Sequence, residues 1–465
     1  MYMLMVVVFV LGYLCIALEH PLRIDKAAAA LVTGVVCWTI YVLGAYDIVD
    51  FSSIDQLVVG LITESTHGVP DQHEIITHYV TEHQMYEHLA EIASILFFLM
   101  GAMTIVELID AHEGFAVITD RIKTTKKVTL LWIISLISFF FSAALDNLTT
   151  SIVMISLLRK LIDDQQDRWF FAGIVVVAAN AGGAWSPIGD VTTTMLWIGG
   201  QITAGAIVKS VFLPSFICLI VPLLFLSFRM KGNVTRPKRV EHKGHYMDPT
   251  TPFERNLVFF AGVGGLVFVP IFKTYTHLPP FMGMMLSLGI LWFITDILHR
   301  SKNAEFRMRH SVLGVLKKID TASVLFFLGI LLAVGSLQSA GQLTELAGFL
   351  DTSIGTQTPE GVYMVGGIIG ILSSIVDNVP LVAASMGMYP IHADGLFQTD
   401  GLFWEYLAYC AGTGGSALII GSAAGVAVMG LEKISFGWYL KNISLLALLG
   451  YFGGIGVYII EHLLH

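Results

Sequence analysis

The Asp-Asn pairs Asp146-Asn147 and Asp377-Asn378 stand in the middle of apolar stretches, where nothing replaces water around a charge. An ionised carboxylate at such depth costs at least about 2.5–3.5 kcal/mol, so a chain keeps one there for binding a cation, holding a proton or alternating between them. Helix capping competes with this reading, because Asp and Asn accept bonds from the free N–H groups of a helix start. Pro380, just inside the second segment, also suits a first helical turn. A neutral Ser or Asn would cap without a charge, which favours chemistry at Asp146 and Asp377. The two roles are compatible.

A second oxygen-rich segment is Asn180-Ala-Gly-Gly-Ala-Trp-Ser186-Pro187-Ile-Gly189-Asp190-Val-Thr192-Thr193-Thr194. Two glycines, a proline and a third glycine should interrupt a helix in mid-span. Such breaks free backbone carbonyls and expose helix ends around a small ion. A kinked helix whose polar groups serve only its own backbone is the plainer reading. The supply of oxygen from Asn180, Ser186, Asp190, Thr192 and Thr193 favours an ion site. Gly412-Thr413-Gly414-Gly415-Ser416 repeats the break with fewer ligands and no carboxylate. Hard oxygen donors suit a hard cation, and Na⁺ or Li⁺ dehydrates more readily than Mg²⁺. No Lys or Arg lies near either Asp-Asn pair or either break, so the site reads as cationic.

The elements that must hold these residues follow from composition. Of 465 residues, 55% are hydrophobic and 13% charged, against roughly 25% charged in soluble domains. Apolar runs near the length of a bilayer crossing recur along the chain. This describes an all-α polytopic membrane protein. The first run, Met3 to Leu18, lacks a basic flank and a small-residue cleavage site, so it is read as a span rather than a signal peptide. Four cysteines, each in an apolar stretch, exclude a disulfide scaffold. A net charge of −9 excludes a nucleic-acid partner, and the absence of period-two alternation excludes a porin-like barrel.

No Lys or Arg occurs between Lys26 and Arg121 or between Lys318 and Lys433. Basic clusters mark cytoplasmic loops, so the segment 128–161, basic at both ends, should enter and leave from inside as a re-entrant hairpin. The segment 361–390 lies within the second basic-free stretch and should do so from outside. About ten full spans remain, five on each side of a basic cytoplasmic linker at 230–253. An odd number per half inverts the halves, giving repeats 1–229 and 254–465 with broken helices at 169–200 and 404–431. Internal matches agree: Ala93–Leu99 with Ala322–Leu328, Ser142–Asn147 with Ser373–Asn378, and Gly182, Gly183 and Gly189 with Gly414, Gly415 and Gly421. Inverted-topology repeats are a transporter signature.

Other signals carry less. His67, His73, His78, His83 and His88, with Asp71, Glu74, Glu82 and Glu87, read as a polar outside loop rather than a Zn²⁺ site, because spacing by five does not stack on an α-helix. Gly412-x-Gly414-x-x-Ala417 has no strand before it and is not a dinucleotide fingerprint. Gly414-x-Ser416 lacks a His at its depth to act as the base of an intramembrane hydrolase. Glu91 and Asp320 stand at corresponding span entrances, where a gating role and ordinary interfacial placement weigh equally.

Taken together, the segments 142–150, 180–193 and 373–380 resemble the NhaD-type Na⁺/H⁺ antiporters of the ion transporter superfamily, which also holds arsenite permeases and sodium–dicarboxylate symporters. The resemblance spans nearly the whole chain, least clearly the His-rich stretch and the linker. It implies antiport of Na⁺ or Li⁺ for H⁺ across a bacterial inner membrane, without a cofactor, by a homodimer in membrane lipid. Functional weight passes to Ser142, Asp146, Asn147, Asn180, Asp190, Thr192, Thr193, Ser373, Asp377 and Asn378. Of these, Asp146, Asn147, Asn180, Asp377 and Asn378 are the expected Na⁺ site. The topology puts both termini on the periplasmic side. An arsenite or oxyanion exporter of the same architecture is the nearest alternative, ahead of a dicarboxylate symporter, a hydrolase and a passive channel.

Overall fold

The computed structural model describes residues 1–65, 70–119, 121–237 and 250–464. It is 78% helix, with no strand among the described residues. Among the described residues, eight helices are long and apolar enough to cross a membrane: Lys26–Ile48, Gln72–Ala111, Lys127–Leu145, Ala204–Arg229, Pro252–Thr276, Pro280–Leu298, Thr321–Ser339 and Phe436–Leu464. Lys127–Leu145 is the first arm of the expected hairpin. The other seven, with the shorter helix Tyr2–Ala17 and two helices interrupted in mid-course, supply the ten spans read from the sequence. Leu43, Phe228, Phe260 and Phe293 stand more than half exposed on these helices. Apolar exposure on this scale suits lipid rather than water. The chain is a multi-pass membrane protein.

Two compact units form, one from Met1–Leu96, Asp320–Gln357 and Val379–Pro390, the other from Phe97–Ile319, Thr358–Asn378 and Ile391–His465. Each unit draws on both halves of the sequence. In the first, Lys26–Ile48 packs along Tyr2–Ala17 and Thr321–Ser339, pinned where the Trp38 indole N–H donates to the Leu332 carbonyl at 2.9 Å. The His-rich stretch is not the polar loop expected. Helix Gln72–His78 passes through a π-helical turn, Tyr79–Gln84, into Met85–Ala111. A π turn closes bonds from i to i+5, so the spacing that argued against an α-helix is compatible with this one. His78 pairs with Glu82 at 3.1 Å, and His88 Nε2 lies 3.0 Å from the Ser339 hydroxyl. His67 lies outside the described residues, as do 238–249 of the linker. Asp320 caps its helix, accepting from the Ser323 N–H at 3.1 Å.

The second unit is built around Gln165–Ala184, which packs on both arms of the first hairpin and on Leu402–Gly414 and Ala423–Glu432. Every residue from Phe171 to Ala184 is buried. A helix covered all round has no stripe to orient it, so polar contacts set its position. At one end the Glu432 carboxylate, shielded from solvent, accepts from Arg159 Nε and Arg168 Nε at 2.7 Å each. This joins the second hairpin arm, the start of the central helix and the end of Ala423–Glu432.

Candidate functional site

The four interruptions expected from the sequence are present. Lys127–Leu145 and Asn147–Leu161 are separated by Asp146 alone. Gln165–Ala184 stops before Trp185 and helix resumes at Val191–Ile198; Pro359–Leu372 gives way to a helix starting at Asn378; and Leu402–Gly414 is followed by Ala423–Glu432. Helices thus begin anew at Asn147, Val191, Asn378 and Ala423. Each start carries unpaired N–H groups and a partial positive charge.

The Asp residues answer three of these starts or stand beside them. Asp146 Oδ1 accepts from the Thr149 N–H at 2.7 Å and Oδ2 from its hydroxyl at 2.8 Å. Asp190 Oδ1 accepts from the Thr192 N–H at 2.8 Å and from its hydroxyl at 2.5 Å. Asp377 directly precedes the start at Asn378. Capping is therefore real at Asp146 and Asp190, and it leaves their charge in place. Asp146 also takes φ +78° and ψ 161°, a region a side chain occupies only under strain of order 1–3 kcal/mol.

Asp190 is the centre of the network. It is 1% exposed. The Asn147 amide donates to its Oδ2 at 2.6 Å and to Asn180 Oδ1 at 3.1 Å. The Asn378 amide reaches Asp190 Oδ1 at 3.4 Å. Asn180, fully buried, donates to the Ser416 and Ser422 hydroxyls at 3.0 and 2.9 Å. Asp146 and Asp377 are each near enough to Asp190 for their charges to interact. Three carboxylates and three asparagines gather in this one unit.

The remaining expected residues hold the frame. The Ser142 hydroxyl donates to the Ala179 carbonyl at 2.5 Å, and Ser373 makes the corresponding bond to Ala411 at 2.9 Å. Each serine fastens a hairpin tip to the last turns of a helix that leads into a break. Thr193 donates to the Ala184 carbonyl at 3.4 Å and Ser186 to the Ala143 carbonyl at 2.5 Å. Glycines permit the close approach. A Cβ on Gly182 would sit 2.1 Å from the Phe139 carbonyl oxygen, and one on Gly414 would sit 2.0 Å from that of Gly370.

Thr149 and Ser422 were not among the residues expected at the site. Ser422 follows Gly421 as Asp190 follows Gly189, so the repeat spacing could have located it. Among the described residues, no three His, Cys, Asp or Glu side chains form a metal-binding group. Cation binding here would rest on amide and hydroxyl oxygens as well as carboxylates.

A family model described as a citrate transporter matches residues 13–407. The chain is 45% identical over 463 residues to sodium/proton antiporter 1 of Arabidopsis thaliana, a match covering 99% of this chain and 73% of that protein. It is 42% identical over 468 residues to sodium/proton antiporter 2 of the same plant, covering 98% and 99%. The Na⁺/H⁺ antiporter NhaD of Vibrio cholerae is 28% identical over 492 residues, covering 98% and 90%.

The chain belongs to the ion transporter superfamily, with the NhaD-type antiporters. Its relatives are transporters rather than enzymes, which removes the hydrolase alternative. The Ser416 hydroxyl raised for that reading is instead engaged by Asn180.

Proposed function

We propose that this protein exchanges Na⁺ or Li⁺ for H⁺, with cation and proton competing for the carboxylates around Asp190. The observation that carries the proposal is the local charge. Four helix starts contribute about +0.5 each, roughly +2 in all, against −3 from Asp146, Asp190 and Asp377. A deficit of about −1 is met by one monovalent cation or one proton. Either occupant neutralises the site, whereas the empty ionised site bears the cost of charge at low dielectric. Mutual exclusion of the two occupants is what couples their fluxes.

Asp146, Asn147, Asn180, Asp377 and Asn378 are the proposed Na⁺ ligands, with Asp190 as a third exchange carboxylate. Thr192 supports Asp190 by donating its N–H and hydroxyl to Oδ1. Ser142, Ser373 and Thr193 hold the two tips and the break in register. The matching serine and glycine contacts support a pair of inverted repeats, 1–229 and 254–465, flanking the linker 230–253. An oxyanion exporter would face the same carboxylates, and the hydrogen bonds described for Asp146, Asp190 and Asn180 come from amides and hydroxyls rather than from Lys or Arg.

The family resemblance supports a bacterial inner membrane, and the pattern of basic residues supports the linker inside with both termini on the periplasmic side. Relatives come from a plant as well as from bacteria, so fractionation of the native host is the direct test of that membrane. A homodimer is proposed from the family resemblance, with cross-linking in native membranes as its test.

Proteoliposomes holding a proton gradient should lose it on addition of Na⁺ or Li⁺, and neither K⁺ nor arsenite should match them. Asp146→Asn and Asp377→Asn should each abolish the response. Wild-type exchange in both variants would sink the ligand assignment. Arsenite flux without Na⁺-driven proton movement would favour the exporter.

A further inference from the structure

A cavity of about 470 Å³ opens where helix Pro280–Leu298 ends, apart from the carboxylate site. It is lined by Thr295, His299, Arg300, Arg307 and Ser311, with Asp296 and Met308 at its wall. Among the described residues neither the Arg300 nor the Arg307 guanidinium has a hydrogen-bond or ion-pair partner, and both residues are exposed. His299 is 3% exposed, and its Nδ1 is buried without a partner.

The protons on this cluster can be placed from its geometry. His112 Nδ1 lies 2.6 Å from the Leu108 carbonyl, which can only accept, so Nδ1 carries hydrogen. Neutral His112 then has a lone pair on Nε2. His299 Nε2, 2.7 Å away, must donate to it. His299 Nδ1 is therefore the bare nitrogen, and an added proton goes there without breaking the His112–His299 bond. His310 packs edge-on against His112 at 5.1 Å and turns its own Nδ1 to the Phe306 carbonyl at 2.9 Å. No metal-binding group of three such side chains is present among the described residues.

We propose that this cavity binds a phosphate-type anion between Arg300 and Arg307, and that protonation of His299 on Nδ1 completes the site. Two unpaired guanidiniums with the fork geometry that suits phosphate oxygens give the recognition. Threonine and serine hydroxyls at Thr295 and Ser311 supply further polar contacts. Charges facing His299 are Glu254, held by Lys302 at 3.2 Å, and Asp296, against Lys302 itself and His310. Burial lowers the His299 pKa below its usual value, with Glu254 and Asp296 opposing and His310 and Lys302 adding to the shift. A bound anion favours the imidazolium, so affinity rises as pH falls through the range in which His299 takes up its proton. The same chemistry is offered by free phosphate and by the headgroup of an anionic lipid. Exposed Met308 and Leu313 beside the basic residues suit the second source.

The test uses the purified full-length protein in detergent, with inorganic phosphate and a short-chain phosphatidylglycerol as separate probes and thermal stability as the readout. At least one probe should raise Tm saturably, and more at pH 6 than at pH 8. Arg300→Gln with Arg307→Gln should weaken apparent affinity at least about tenfold, as expected for losing charge-assisted bonds. His299→Gln should keep binding and lose its pH dependence. The Arg300→Lys, Arg307→Lys pair should retain partial binding, which guards against a folding artefact. A response to phosphate alone assigns free phosphate, and one to the lipid alone assigns a headgroup. No shift with either probe, or an equal shift in the double glutamine variant, overturns the proposal.

Discussion

The two hairpin-and-break regions share a frame and differ in chemistry. Ser142 and Ser373 make the same bond to a carbonyl in the last turns of the helix before a break, and Gly182 and Gly414 press against equivalent carbonyls. At the next level the match ends. Asp190 caps the first resumed helix, and Ser422 caps the second through the Gly425 N–H at 3.1 Å. Asn180 has Gly412 as its counterpart, Thr192 has Ala424, and Thr193 has Gly425. The tips also differ: Asp146 alone, at positive φ, makes the first turn, while residues 373–377 are spent on the second. The packing that brings backbones close is the same in both regions. Polar and charged side chains are concentrated in the first, and Asp377, Asn378, Ser416 and Ser422 come from the second.

The largest effect should come from the position where the regions diverge most. Asp190→Asn removes a buried charge and its partners, a loss of about 3 kcal/mol or more, and should lower Na⁺-driven proton movement at least about 100-fold. Ser422→Ala loses neutral hydrogen bonds worth about 0.5–1.5 kcal/mol and should slow exchange about tenfold at most. Equal effects in proteoliposomes would break the asymmetry.

The shared frame predicts equal effects. Gly182→Ala and Gly414→Ala each force a methyl group against a carbonyl and should cost about 1–3 kcal/mol, read as similar falls in Tm. A large fall in one with none in the other would show that the packing too has diverged. Smallest, Ser142→Ala and Ser373→Ala should each cost about 1 kcal/mol of stability. Exchange with altered Na⁺ affinity in only one of them would reveal which serine also faces the ion.

Much of this was legible because charge is scarce. Asp146, Asp190 and Asp377 could be picked out from apolar surroundings, and the breaks followed from glycine and proline. The His-rich stretch was misread as a loop because α-helical spacing was assumed where a π turn intervenes. Ser422 was passed over because a lone serine in a small-residue run carries no anomaly; only its distance from Gly421 marks it. The expected Na⁺ site leaves Asp190 out, yet its side chain is the one that Asn147 and Asn378 both contact.

The sequence by itself determined the membrane class, the four interruptions and the identity of the costly charges, since each follows from local composition and from the energy of burying a charge. Tertiary structure decided which of those charges share a site. The Asn147–Asp190, Asn180–Ser422 and Asn378–Asp190 bonds span separations from 43 to 242 positions. No local propensity encodes such contacts. They arise when helices without an amphipathic stripe are fixed by where their few polar groups find partners.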